Sequence, residues 1–289
     1  MKKYLAILFF VVLFFSFVGV ESARAANANV VISYSPAVIM QGDPFLVSIG
    51  GATFSKIKKL TFDGVAVTVF SYQNAPTALV GVDLRKKPGI YKLTLTLSGG
   101  QVVTKNVTVS TRPQVAEPLG IPLSLGGNTT VSQDNMVAEL VAENKTLTNI
   151  KTFAAALWTK KFILPLSKIF VTDPYGYSRE TGAYSIPHKG VDYRAAIGTP
   201  VMAINRGIVR VTQNYSDYGN TIVIDHGLGV MSFYLHLSKI NVKVGQLVQQ
   251  GQVIALSGDT GYTLGSHLHL SVRIGGISID PVKFFALFQ

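Results

Sequence analysis

Short apolar runs separated by turn-forming residues fill the first third of the chain, after a strongly apolar start. Apolar and polar residues alternate in residues 91–97, and again in residues 102–109 after the pair Gly99-Gly100. Such alternation places one face of a strand in a core and the other in water, and the glycine pair predicts a hairpin turn. The spacing of these strands predicts that residues 26–112 form a β-sandwich of immunoglobulin-like type.

Residues 113–159 predict a linker followed by a helix. Proline and glycine are frequent up to Thr130, which favours a loop. Beyond this point Ser132 is a suitable helix cap, and apolar residues recur three or four positions apart. We expect the helix to continue to about Leu157 and to use its apolar stripe for packing. The stripe consists of Met136, Val137, Leu140, Val141 and Leu147.

The last part of the chain, residues 160–289, is again rich in β-type runs and in glycines. It predicts a compact β-domain with a groove. The expected fold class is therefore mainly β, with an N-terminal β-sandwich, a linking helix and a C-terminal β-domain.

The first 25 residues predict a secretory signal peptide. Lys2 and Lys3 precede an apolar run over residues 4–20, and the segment Ala23-Arg24-Ala25 provides small residues for cleavage. This order is typical of export signals, so we expect cleavage at the end of residues 1–25. An uncleaved membrane anchor is the alternative, because the run approaches the ~18 residues that can span a bilayer.

The amino-acid composition limits the choice of binding partners for an exported protein. The chain has no cysteine, so we expect it to fold without disulfides and to carry no lipid on an N-terminal cysteine. Its formal net charge of +11 favours anionic polymers. Export makes the acidic cell wall the expected polymer and argues against nucleic acid. No membrane span is expected after cleavage, and a role of the charge in solubility alone is the alternative.

Two segments carry polar residues that a strand would turn to one face. His267 and His269 share parity, so their side chains would lie about 7 Å apart on one side of a strand. His188, Gly190 and Asp192 share parity as well, and the residues around them favour a strand over a helix. Both segments therefore predict inward-facing pairs of metal-binding side chains.

His236 is a third candidate, because it alternates with Leu235 and Leu237 and is expected to point away from both. A catalytic zinc ion takes three protein ligands and keeps one position open. It lowers the pKa of water to about 7 and polarises a carbonyl group. Four histidines and one aspartate exceed three ligands, which leaves imidazoles for proton transfer and oxyanion stabilisation. This set predicts hydrolysis of an amide, whereas the fifth histidine, His226, is interpreted as structural.

Several segments resemble the lysostaphin-type, or LytM-domain, zinc metallopeptidases over about residues 160–289. The segments are GYSR at 176–179, HKGVD at 188–192, GTPVMA at 198–203, YLHL at 234–237, GSHLHL at 265–270 and the closing Asp280-Pro281. Family members often have Gly-Pro before the HLH element, where this chain has Gly265-Ser266, a mild departure in the loop.

The resemblance implies an antiparallel β-sheet domain with a long groove and a zinc ion held by His188, Asp192 and His269. It also implies that His236 and His267 act beside the metal, one as general base and both in holding the oxyanion. Family members cut peptides of peptidoglycan, so the implied function is a zinc-dependent endopeptidase of cell-wall cross-links. We favour D-amino-acid cross-links over glycine bridges, and a periplasmic over a fully secreted enzyme.

The resemblance leaves two alternatives open. Some relatives have lost ligands and act as non-catalytic regulators of amidases, whereas the complete set in this chain favours an active enzyme. In exported multi-domain members the N-terminal part can cover the groove and hold the enzyme latent. Residues 26–150 are therefore a candidate intramolecular inhibitor, with a spacer or a wall-binding module as the alternative.

Overall fold

The structure, a computed structural model, describes residues 29–181 and 183–288. The predicted signal peptide at residues 1–25 lies outside the described residues. None of the helices in the described part has the length and apolar character that crossing a bilayer requires. Strands dominate this part of the chain, which confirms the predicted mainly β fold class.

The first nine strands form two facing sheets, which we call the N-terminal sheets. Their strands are β1 (Val31–Ser35), β2 (Ile39–Met40), β3 (Pro44–Gly50), β4 (Ile57–Phe62), β5 (Val65–Val67), β6 (Val69–Tyr72), β7 (Ala75–Gly81), β8 (Gly89–Leu97) and β9 (Val102–Ser110), with a 3₁₀ turn at Phe54–Lys56. One sheet has the order β1-β3-β7-β6 and the other β2-β9-β8-β4-β5. Phe45 and Leu93 meet in the core that they share. The predicted hairpin is confirmed as the antiparallel pair β8-β9.

The linker continues through a short strand, β10 (Ala116–Pro118), and a 3₁₀ turn (Leu123–Leu125) to the helix α1 (Thr130–Thr148). The predicted cap was wrong by three residues, because the Thr129 side chain accepts from the Ser132 amide. The helix also ends well before Leu157. Its end is fixed by the sheet, since the hydroxyl of Thr152 and the amide of Phe153 both donate to Asp225.

The C-terminal part is one large sheet with a small satellite sheet and a closing helix. Its elements are β11 (Val171–Asp173), β12 (Ser178–Thr181), β13 (Tyr184–Pro187), β14 (Val191–Arg194), β15 (Pro200–Met202), β16 (Gly207–Tyr215), β17 (Gly219–Gly227), β18 (Val230–Ile240), β19 (Leu247–Val248), β20 (Val253–Ser257), β21 (His267–Ile274), β22 (Ile277–Ile279) and α2 (Pro281–Ala286). The large sheet runs β11-β14-β21-β18-β17-β16-β19 through antiparallel pairs, while β15, β20 and β22 attach beside this path. β10 pairs with β12 in the satellite sheet, which also contains β13, so backbone hydrogen bonds attach the linker to the C-terminal part.

The N-terminal sheets pack directly on the C-terminal part. Phe70 of β6 lies edge-on to Trp158 with ring centroids 5.5 Å apart. Close to this interface Arg112 is buried between two carboxylates, Asp43 of the N-terminal sheets and Asp280 at the start of α2. Losing one partner of a buried ion pair is strongly destabilising. This contact therefore holds the two parts of the chain together.

Candidate metal and catalytic site

Three neighbouring strands bring most of the predicted site residues together. In the order β14-β21-β18, Asp192 lies opposite His269, and His269 lies opposite Leu235. Side chains of paired residues point to the same face of a sheet, so these three share one face. We call the part of this face that β18 and β21 form the groove floor; it consists of Met231, Phe233, Leu235, His269, Ser271 and Arg273. As predicted for the HLH element, Leu268 and Leu270 point away from the floor into the core.

His188 lies in the loop before β14, not in a strand with Asp192 as the parity argument expected. The loop still turns the ring inward, because its Nδ1–H donates to the Pro174 carbonyl at 3.0 Å. This bond leaves the Nε2 lone pair free to face Asp192 Oδ1 at 3.1 Å. Gly190 is needed in this loop because a Cβ there would lie 2.3 Å from the His269 ring.

His269 is oriented through its outer nitrogen. Its Nε2 lies 2.9 Å from the Ser271 hydroxyl, which itself donates to the Lys189 carbonyl at 2.8 Å. Because that hydroxyl proton is already committed to Lys189, the hydroxyl accepts from His269 Nε2–H. The inner Nδ1 of His269 is then a lone pair, 2.8 Å from Asp192 Oδ1.

Asp192 is buried between the two rings and an arginine. Burial acts to raise the pKa of its carboxyl, but while a proton and not a metal ion lies between them, the charge and hydrogen bonds of the adjacent His188 and His269 rings hold that pKa well below its usual range. The second oxygen, Oδ2, accepts from Arg179 at 3.0 Å, and Arg179 also pairs with Asp173 at 2.7 Å. The carboxylate is thus ionised, with Oδ1 directed at the rings.

The chemistry of this donor set fits a metal ion. The inner nitrogens of His188 and His269 lie 3.0 Å apart, and both carry lone pairs once their outer nitrogens have donated elsewhere. Two lone pairs repel each other and a carboxylate increases the negative potential, so a cation between them stabilises the arrangement. One ligand atom from each of His188, Asp192 and His269 lies within 4.8 Å of the others.

His236 reaches the same pocket by a backbone feature that alternation does not reveal. Its φ is +59°, in the left-handed region, which breaks the strand period inside β18. The prediction that both leucine neighbours point away from the pocket was therefore wrong: Leu235 lies on the groove floor and Leu237 in the core. His236 Nδ1 lies 2.9 Å from the Thr260 carbonyl and donates to it, so Nε2 faces the pocket. Burial, followed by the neighbouring imidazoles, lowers the pKa of His236 to about 3, and the ring is neutral at pH 7.

His267 completes the group of four imidazoles. Its Nδ1–H donates to the Gly265 carbonyl at 2.8 Å, and its Nε2 lies 3.7 Å from Asp192 Oδ1. Its ring centroid is 4.8 Å from that of His236. The two rings therefore stand side by side next to the donor set, each with a lone pair directed inward.

His226 lies in the core, apart from the four imidazoles. Its two nitrogens contact the Arg206 carbonyl and the Ser232 hydroxyl, and its ring packs against Phe162. Burial lowers the pKa of His226 to about 4, so the ring is neutral there. This placement agrees with the structural interpretation of His226.

The helix α1 lies over the groove floor beside the pocket. Leu147 packs in one apolar cluster with Phe233 and Leu235, and the Glu143 carboxylate accepts from the backbone amides of Asp217 and Tyr218 at 3.0 and 3.2 Å. A cavity of about 310 Å³ remains between helix and floor, and its walls include His188, His236 and His269. The sequence showed the apolar stripe of α1 but not the surface that it covers.

Comparison with known proteins identifies the C-terminal part. Residues 186–281 match peptidase family M23. The chain carries an M23 peptidase domain. The peptidoglycan DD-endopeptidase ShyA of Vibrio cholerae is 47% identical to this chain over 97 residues, which are 34% of this chain and 23% of ShyA. Lysostaphin of Staphylococcus simulans is 42% identical over 118 residues, which are 38% of this chain and 24% of lysostaphin. The resemblance to lysostaphin-type peptidases is confirmed, and the chain spans about a quarter of the length of these two relatives.

One solved structure resembles more than the M23 domain. A structure from Pseudomonas aeruginosa that carries the peptidase M23 name aligns over 86% of this chain and 96% of its own, with 26% identity and a TM-score of 0.59. The match to family M23 covers 96 residues, a third of the 289 in the chain. The likeness therefore extends to the arrangement of parts outside the M23 domain.

Proposed function

We propose that this protein is an exported, zinc-dependent endopeptidase that hydrolyses peptide cross-links of bacterial peptidoglycan. One observation carries the proposal: four imidazoles and one carboxylate converge with their free lone pairs inward, and each ring is fixed by a bond on its outer nitrogen. Such a set offers three ligands and leaves two bases, which is the division that hydrolysis of an amide requires.

His188 Nε2, Asp192 Oδ1 and His269 Nδ1 are the proposed ligands. Two imidazole nitrogens and one carboxylate oxygen are a donor set that suits zinc. When bound, the metal supplies a Lewis acid that polarises the scissile carbonyl and acidifies water. Arg179 and Ser271 support the ligands from outside, since they hold Asp192 and His269 in the orientations that direct their free atoms inward.

His236 and His267 are the proposed catalytic bases. At Nε2 these rings accept the proton of the attacking water, and they deliver a proton to the leaving amine. Because both rings donate their Nδ1–H to backbone carbonyls, the tautomer that presents a basic Nε2 is fixed before substrate binds. In their protonated forms the rings stabilise the negative charge that develops on the carbonyl oxygen.

The substrate class follows from the relatives and from the composition. ShyA and its relative ShyB, both from Vibrio cholerae, are named peptidoglycan DD-endopeptidases, which favours D-amino-acid cross-links. The net charge of +11 suits an anionic polymer, and the predicted signal peptide directs the enzyme to the periplasm. A non-catalytic regulator of amidases is the second candidate, but the complete set of site residues gives no reason to prefer it.

We propose that the conformation in which α1 covers the groove is a latent form of the enzyme. The candidate inhibitor, residues 26–150, includes α1 at Thr130–Thr148, which covers the groove floor next to His269. The N-terminal sheets contribute no residue to the walls of this cavity, so the blocking element is the helix and not the sheets. An extended peptide would need the space that α1 occupies.

The test combines zinc content with muropeptide release from purified sacculi, measured on the full chain and on two variants. His269→Ala should lose both zinc and activity, whereas His236→Ala should bind zinc normally and lose turnover. Because α1 lowers the rate, each protein is also measured with the additional change Glu143→Ala. A His269→Ala protein that still hydrolyses sacculi would refute the ligand assignment, and inactive proteins in every background would favour the regulator. Mass spectrometry of the products identifies the bond.

A further inference from the structure

The groove floor carries a cation that the proposed reaction does not use. On β21 every second side chain faces the floor, in the order His269, Ser271 and Arg273. Four residues along a strand span about 13 Å. Arg273 therefore stands on the same face as the proposed metal ligands, at a distance that a short extended peptide bridges.

The guanidinium of Arg273 has no anionic partner within the described part of the chain. Its guanidinium stacks on Phe233 at 4.3 Å, and burial lowers the pKa of the group. Within residues 29–181 and 183–288 no carboxylate pairs with it, and its Nε is buried without a hydrogen-bond partner. The guanidinium is half-buried, and a cation that is partly removed from water is costly unless it is paired, so a ligand explains this position better than packing does.

The partners that Arg273 does have come from α1. Nη1 donates to the Leu147 carbonyl at 3.3 Å, and Nη2 donates to Asn144 Oδ1 at 3.1 Å. Both acceptors are neutral oxygens at the C-terminal end of the helix, where the helix dipole is negative. A carboxylate forms shorter and stronger bonds with a guanidinium and can accept two of them in parallel. A carboxylate of the substrate would therefore compete well with the end of the helix for the Arg273 guanidinium.

One cavity joins Arg273 to the proposed catalytic site. The space of about 310 Å³ under α1 is walled by Arg273, His269 and His236, and Lys189 also lies in these walls. We propose that Arg273 is a subsite for a carboxylate of the substrate peptide, and that the C-terminal end of α1 occupies this subsite in the latent form. This inference rests on the proposed function, because it assumes that the groove takes a peptide.

The test compares two forms of one probe, a purified cross-linked stem-peptide dimer with free carboxylates and the same dimer with its carboxylates converted to carboxamides. On the full chain, kcat/KM for the free form should exceed that for the amidated form by about tenfold or more, since losing one charge-assisted bond changes an equilibrium by that factor. Arg273→Gln should bring the ratio close to one, and Arg273→Lys should give an intermediate ratio. The ratio is informative even if these variants also loosen α1, because both dimers then gain equally.

The matched control is Arg210→Gln. Arg210 also lies near a phenylalanine ring, at 5.5 Å, and donates to a linker carbonyl at 2.9 Å, but it lies outside the cavity walls. This variant should keep the wild-type ratio.

Binding of both dimers to the metal-free full chain, measured by calorimetry, gives a second measurement that does not depend on turnover. If binding distinguishes the dimers through Arg273 while no protein hydrolyses them, the proposed function fails and the subsite stands. An unchanged ratio in Arg273→Gln, in both measurements, overturns the subsite.

Discussion

Truncation of Glu143 should activate the enzyme, because this side chain holds α1 over the groove. Of the three residues that α1 buries, Glu143 is the charged one. Its two oxygens accept from the amides of Asp217 and Tyr218. These amides belong to the turn before β17, so Glu143→Ala breaks the polar attachment of the helix to the wall of the groove and leaves two donors unpaired.

The size of the effect follows from those two bonds. A hydrogen bond to a charged group contributes about 1.5–3 kcal/mol. We take the lower value for each, because the neighbouring carboxyl of Asp217 repels Glu143, and obtain about 3 kcal/mol. While the open form is the minor one, a weakening of this size raises its population about 100-fold. The rate of hydrolysis should rise by the same factor, up to the rate of the fully open enzyme.

The assay is muropeptide release by the full chain at saturating zinc, with amide hydrogen exchange of α1 measured in parallel. Glu139→Ala is the matched control, since it is the same change on the same helix at an exposed position; its rate should stay within about twofold of wild type. The decisive result is the combination of the two measurements. If exchange in α1 accelerates in Glu143→Ala while hydrolysis stays at the wild-type rate, the helix does not block the groove.

Two further predictions concern pH and metal affinity. Burial, and then repulsion from Glu143, raise the pKa of Asp217 to about 7 from its ordinary 3.8. The folded state then binds this proton more tightly than the unfolded state, so the contribution of Asp217 to stability is largest below pH 4 and is lost as the pH rises through about 7. Asp217→Asn should flatten that part of the curve in urea titrations, and an unchanged slope would contradict the assignment. Arg179→Gln should weaken zinc binding about 10–100-fold, measured by competition with a chelator, because Asp192 loses the partner that orients it; wild-type affinity would show that Arg179 is dispensable.

Alternation of apolar and polar residues allowed part of this fold to be predicted from the sequence. The hairpin β8-β9 and the HLH strand obey a period of two, so the faces of His267 and His269 followed from spacing alone. The loop that carries His188 and the left-handed His236 do not obey it. Their side chains reach the pocket through backbone turns, and a turn leaves no periodic signal in the residues that it reorients. For both histidines the spacing argument assumed the wrong backbone conformation, and their roles as ligand and base, which the resemblance to a family implies, stay predictions.

The position of α1 could not be predicted from the sequence, for a different reason. A helix with an apolar stripe must cover some apolar surface, but the stripe does not state which one. In the fold that surface is the groove floor, and the polar contacts that select it join residues far apart in the chain. Glu143 meets the amide of Asp217, and Arg273 meets Asn144. Neither pair has a local pattern that would have suggested it.

The route to an open enzyme follows from where the strong contacts lie. Arg112 pairs with both Asp43 and Asp280 at a buried point, and the Tyr175 ring packs against it, so separating the N-terminal sheets from the M23 domain would break a buried ion pair. The helix is held without a buried ion pair: by Glu143, by the apolar contacts of Leu147 and Met136, by a hydrogen bond from the Tyr184 hydroxyl to Asp134, and by an arginine whose partners a carboxylate can replace. Displacement of α1 needs no movement of the N-terminal sheets. The proposed latency and the proposed subsite therefore predict a local opening, in which a substrate peptide that brings its own carboxylate to Arg273 replaces the end of the helix and at the same time fills the groove.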